Sequence, residues 1–99
     1  MKKTKTIDTD FFEKDLKKRL KNRKFREAFY MSRLVRRIST QISEIRGKKH
    51  LSQKQLAYKA HVPQQEISNI ENGKRNITLV TLEKIAAGFG GTVDVNFKI

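Results

Sequence analysis

LSQKQLAYKAHVPQQEISNIENG, residues Leu51 to Gly73, decides the fold of this chain, because it reads as two short helices joined by a tight turn. Ser52 with Gln55 three residues on is the S-x-x-Q form of the capping box, in which side chain and backbone satisfy each other's free donors at a helix start. Leu56, Ala57 and Ala60 put apolar groups on one face of the helix that follows. His61-Val62-Pro63 interrupts it, since Pro63 restricts Val62 to an extended conformation and itself fits only a turn or a helix start. A second helix runs from Gln64 through Glu71, and Asn72-Gly73 ends it with residues suited to a left-handed cap.

The apolar set places the two helices. Ala57 is small enough for close approach, while Val62, Ile67 and Ile70 face inward beneath the first helix. That leaves Gln64, Gln65, Ser68 and Asn69 on the outer side of the second helix. These are amides and a hydroxyl, without the long apolar groups that a groove in a partner protein would want. Amides pair bidentately with adenine in the major groove of a DNA duplex, and serine serves several bases. The arrangement is a helix-turn-helix.

The residues LSQ-x-x-LA…V-x-QQ-x-IS-x-IENGKR resemble the helix-turn-helix of phage lambda-type repressors and the wider Xre regulator family. The likeness extends through Thr78-Leu79-x-x-Leu82-x-x-Ile85-Ala86, about half of the chain. It implies an all-α bundle in which Gln64, Gln65 and Asn69, with Ser68 nearby, meet base edges. By the same resemblance Gln53 holds a phosphate and braces the reading helix, and Asn72, Lys74 and Arg75 meet the DNA backbone; Lys54, beside Gln53, is expected to bind phosphate with them. The chain departs from the family twice. His61 stands where Gly or another small residue is usual, so a left-handed histidine is expected there. Pro63 stands where Ser or Thr is usual, which removes the side-chain cap of the reading helix.

Charge separates the chain into unlike halves. Residues 1–50 carry 17 Lys+Arg against 6 Asp+Glu, residues 51–99 only 6 against 4, and the whole chain has a formal net charge of +13. The expected reading head is therefore nearly neutral, and the positive field lies ahead of it. Nucleic acid is the simplest partner for such a field, with a basic arm reaching flanking phosphates.

Outside the central motif, three segments remain. Residues 1–32 read as a basic tail and helical extension: MKKTKTI has no period, then Phe12, Leu16 and Leu20 recur every four residues, with Lys14, Lys17, Lys18, Arg19 and Lys21 on the polar side. Asn22-Arg23 breaks that helix, and a longer one follows from about Lys24 to Lys48, carrying Phe25, Phe29, Leu34, Ile38, Ile42 and Ile45 as its stripe and stopping near Gly47. Whether Ser32 or Ser39-Thr40 interrupts it stays open at this level. The aromatics Phe11, Phe12, Phe25, Phe29 and Tyr30 read as a small core between two helices. Within residues 33–91, the bundle, Thr78 caps a last helix whose apolar face is Leu79, Leu82, Ile85, Ala86 and Phe89, with Gly88, Gly90 and Gly91 ending it. In residues 92–99, Val93, Val95, Phe97 and Ile99 alternate with polar residues, the pattern of a half-buried β-strand that must pair with another subunit or a partner.

The whole layout, a short aromatic N-terminal segment, an Xre-type bundle and a terminal V-x-V-x-F strand, resembles the HigA-type antitoxins of type II toxin–antitoxin modules. That likeness implies a RelE-like RNase toxin as partner and repression of the protein's own operon. One feature opposes it: RelE-like toxins are usually basic, and so is the N-terminal half. No cysteine, paired histidine or carboxylate cluster offers a metal site, and no nucleophile–base set or phosphate loop suggests an enzyme or a cofactor. With no apolar run long enough for a signal peptide or membrane span, the expectation is a cytoplasmic, homodimeric binder of a double-stranded DNA operator.

Overall fold

The structure, a computed structural model, describes residues 9–99. Five helices follow one another: α1 (Thr9–Arg19), α2 (Arg23–Lys48), α3 (Gln53–Ala60), α4 (Gln64–Glu71) and α5 (Leu79–Gly88). The described residues fall into two compact units, divided between Arg33 and Leu34.

In the second unit the core is Ile42, Leu56, Ala57, Ala60, Val62, Ile67, Ile70 and Ile85, with Ile38, Ile77, Leu82 and Phe89 packed against it. Leu56, Ile67 and Ile70 are fully buried, so the inward face read from the central stretch is the face the fold uses. The capping box closes as expected: Gln55 N–H donates to Ser52 Oγ at 3.0 Å, and Ser52 N–H donates to Gln55 Oε1 at 2.8 Å. Thr78 Oγ1 caps α5 by accepting from the Thr81 N–H. α3 lies against both α4 and α5. The approach to α5 is very close at Gly88, where an added Cβ would stand 3.0 Å from the Ala60 backbone nitrogen. Gly88 thus does more than weaken a helix end; its missing side chain is the space that lets α3 in.

α2 is continuous through both serine positions. Ser39 is buried, and its hydroxyl lies 2.8 Å from the Val35 carbonyl and 2.8 Å from the Ile70 carbonyl, so it bonds back along its own helix rather than breaking it. The helix also runs past Gly47. The reversal falls on His50, which takes φ 55, with its N–H on the Gly47 carbonyl and the Leu51 N–H on the Arg46 carbonyl.

In the first unit, Asn22 Oδ1 accepts from the Phe25 N–H and starts α2. Arg26 Nη1 donates to the Leu20 carbonyl at 2.9 Å, fastening the turn after α1. The aromatic residues do not form the small core expected of them: Phe11, Phe12 and Tyr30 are all at least half exposed. Two helical segments this short cannot enclose five rings. The rings instead meet pairwise, Phe25 stacked on Phe29 with centroids 6.1 Å apart and Phe29 edge-on to Tyr30 at 5.3 Å.

Two further expectations are corrected. Leu79, expected on the inner face of α5, is 72% exposed; it is the first residue of the helix, directly after the Thr78 cap. The C-terminal strand does not form, and residues 92–99 have no regular secondary structure. The physical reason is that a strand needs a second row of backbone donors and acceptors, and no described part of this chain supplies one. Among the described residues the segment is tied by Val93 N–H to Glu83 Oε2 and by Asn96 Nδ2 to Asp94 Oδ2, while Phe97 is 87% exposed.

Candidate nucleic-acid interface

The outer face of α4 follows from the inner one. Ile67 and Ile70 are fully buried, which turns Gln65 and Asn69, four residues apart, to the opposite side. Gln64 and Gln65 are exposed, and Ser68 and Asn69 are half-buried. Gln65 Nε2 donates to Asn69 Oδ1 at 2.9 Å, so the two amides lie side by side before any ligand arrives. Each keeps hydrogen-bonding capacity for a base edge, because an amide offers two donors and an acceptor with two lone pairs.

The turn that presents this face behaves as the two unusual residues predict. His61 is left-handed, with φ 58 and ψ 44. Pro63 is the N-cap of α4 and makes no side-chain cap; its carbonyl accepts from the Glu66 and Ile67 N–H groups. At the other end Gly73 takes φ 97, and the Lys74 N–H returns to the Asn69 carbonyl at 2.9 Å.

A half-buried ionic network fixes α4 from behind. Arg46 on α2 meets Glu71, the last residue of α4, through Nε to Oε2 at 2.8 Å and Nη2 to Oε1 at 3.0 Å. Arg46 Nη1 also donates to the Leu51 carbonyl. Gln53, the first residue of α3, donates from Nε2 to Glu71 Oε1 at 3.1 Å. One carboxylate therefore joins three helices, with its side chain only 6% exposed. Burial alone would raise the Glu71 carboxyl, yet hydrogen bonds from Arg46, Gln53 and Ser43, with the charge of Arg46, hold it below the usual carboxylate range. The bond to Glu71 raises Arg46 in turn, against its partial burial. Ser39 adds a neutral tie from α2 to the Ile70 carbonyl.

Placed on this frame, the remaining expected residues separate by role. Gln53 uses one amide donor on Glu71, which is a bracing contact. Lys54 is exposed in the first turn of α3, and Asn72 and Arg75 are exposed beyond α4. Lys74 is already engaged, its Nζ 2.9 Å and 2.8 Å from the two oxygens of Glu66; a phosphate would compete with that carboxylate for it. Arg46, Glu71, Ser39 and Glu66 were missed from sequence. Arg46 and Glu71 lie 25 residues apart, and no periodic pattern connects such a pair; only the arginine's place on the stripe side of a helix hinted at it.

Residues 42–96 match the Helix-turn-helix family, and the chain belongs to it. Among its relatives, the control protein C.MunI of a Mycoplasma species is 41% identical over 63 residues, covering 63% of this chain and 85% of that protein. A Mycobacterium tuberculosis protein carrying the name antitoxin HigA2 is 36% identical over 59 residues, 59% of this chain; the match spans 58% of that protein's length. Among solved structures, the restriction-modification controller protein C.Esp1396I superposes with a TM-score of 0.57 at 37% identity, over 60% of this chain and 76% of that one. No helix among the described residues is long and apolar enough to cross a membrane.

Proposed function

We propose that this chain is a sequence-specific, double-stranded DNA-binding transcriptional repressor. It acts in the cytoplasm, as a homodimer on a pseudo-palindromic operator, and is a binding protein rather than an enzyme. Each α4 would enter a major groove, with half-sites about one helical turn apart. The observation that carries the reading is the outward amide pair Gln65–Asn69 on a helix held from behind by Glu71. In the docked state Gln64, Gln65, Ser68 and Asn69 read bases, and Lys54, Asn72, Lys74 and Arg75 meet phosphates, with Gln53 bracing and reaching the backbone at the edge.

Selection of bound duplexes from a random pool tests this directly, the expected result being an enriched site with two-fold symmetry. Within that site, Gln65→Ala should cost about 1–3 kcal/mol and relax one base preference. A gel-shift series in which the variant binds every site variant as the parent does would remove Gln65 from the reading face.

Two narrower readings follow from the relatives. The likeness to HigA2 supports an antitoxin of a HigBA-type module that binds a RelE-like toxin and represses its own operon. The likeness to C.MunI and C.Esp1396I, which is fuller in coverage of those proteins, supports a controller of restriction–modification genes. The neighbouring genes and co-purifying proteins distinguish them: a small RNase-like protein supports the first, a methyltransferase or endonuclease the second. Neither neighbour would leave a stand-alone phage or mobile-element repressor. Competition between duplex DNA and structured RNA at fixed salt tests the remaining alternative, an RNA-associated adaptor, because the A-form major groove does not admit a helix.

A further inference from the structure

The first unit has a feature that the DNA-reading face does not use. Between Thr9 and Arg33 there are nine Lys+Arg against four Asp+Glu. The structure sorts these charges onto different sides of α1. Asp15 pairs with Arg19 at 3.0 Å, Arg19 also lies 5.9 Å from the Phe25 ring centroid, and both line a shallow groove with Phe12, Leu16 and Phe25. Arg19 therefore leaves the polar side on which its sequence position had put it. Lys14, Lys17 and Lys18 fall on the other side, at i, i+3 and i+4, and Lys21 follows at i+7 where the Lys21 N–H still bonds the Lys18 carbonyl. All four are exposed.

We infer that Lys14, Lys17, Lys18 and Lys21 form a second, sequence-independent contact to the phosphate backbone of duplex DNA. The inference rests on the proposed DNA-binding function and assigns the part of it that α4 leaves open. Charge complementarity selects the partner: four ammonium groups along one side, against acidic neighbours at Asp10 one turn before Lys14 and Glu13 one turn before Lys17, leave an excess of positive charge that matches a line of phosphodiesters. Their span fits too. The helical part from Lys14 to Lys18 rises about 6 Å, the turn after α1 carries Lys21 beyond it, and successive phosphates of one strand advance ~3.4 Å along the duplex axis, so the line covers about two to three phosphates. Lysines make point-charge contacts without bidentate geometry, which suits a backbone and cannot read a base edge. The second unit reads sequence, and the first supplies affinity that is indifferent to sequence.

The test uses the full chain and two DNA probes, the selected site with flanking duplex and a scrambled duplex of the same length. In the variant Lys14→Gln, Lys17→Gln, Lys18→Gln, Lys21→Gln, the slope of log affinity against log salt should become shallower by roughly two to three. The fold-loss at fixed salt should be the same on both probes. The corresponding four-fold Lys→Arg variant should keep the parental slope, and equal thermal melting of all three proteins shows that folding is not the cause. A slope change below about one overturns the assignment, as would be found if the line served an acidic protein. A loss confined to the selected site overturns it as well. Gln65→Ala in the same assay keeps the two ideas apart: if it weakens only the selected site while the lysine variant changes nothing, the reading face stands and the second contact falls.

Discussion

The helices α4 and α1 meet their surroundings in opposite ways. In α4 almost every side chain is committed: Ile67 and Ile70 inward, Glu71 to Arg46 and Gln53, Glu66 to Lys74, Gln65 to Asn69. In α1 no residue is buried, and its lysines are turned to solvent. A helix that tells one base from another needs side chains fixed to within a fraction of an ångström, and buried polar ties supply that. A helix that feels only the charge of a backbone needs no such fixing, so it can dispense with a core.

Removing the tie behind α4 should break this contrast most strongly. Glu71→Ala leaves a half-buried guanidinium and an amide donor without their acceptor, and should cost about 3 kcal/mol in urea unfolding. Gly88→Ala comes next. Its methyl would press on the Ala60 backbone, and overpacking there should outweigh the better helix propensity of alanine, lowering stability by about 1–2 kcal/mol in the same measurement. A smaller effect is expected from acid. Because the Glu71 carboxyl is held below its unfolded value, its contribution is complete above the usual carboxylate range and is lost as pH falls through the depressed folded value. Urea midpoints followed from about pH 7 to ~pH 3 should fall on the acid side, and Glu71→Gln should flatten that fall. The smallest effect sharpens the comparison from the other end: the four Lys→Gln changes in α1 should move stability by less than about 0.5 kcal/mol.

Much of the second unit was legible because its cues are local. Ser52 and Gln55 lie within one turn of each other, Leu56, Ala57 and Ala60 share a face, and Pro63 and Gly73 punctuate by their backbone chemistry alone. Those cues reproduce α3, α4 and the core residues beneath them. The readings that failed depended on what lies across space. Alternation at Val93, Val95, Phe97 and Ile99 describes which sides a strand would show, but pairing requires a second strand that the pattern cannot create. The aromatic spacing of Phe25 and Phe29 gives a stacked pair, yet a core also needs a cover. Leu79 has the period of an inner residue yet is exposed, because a period along one helix does not say how far along it the neighbouring helices cover it. In the interface, the outward amides were visible as what the apolar positions leave over. Arg46 and Glu71, which hold those amides in place, were invisible because salt bridges between distant residues leave no periodic trace.

The left-handed histidine at the turn has a kinetic corollary. A β-carbon at φ 58 opposes the local conformation by about 1 kcal/mol, so an isolated α3–α4 peptide gains little from closing its own corner. The corner is stable only once Leu56, Ile67 and Ile70 have collapsed onto Ile42 and Ile85, which come from well outside it in sequence. Refolding should therefore close the corner at His61 together with the core and not ahead of it, so that the surface facing DNA takes shape only as the bundle packs.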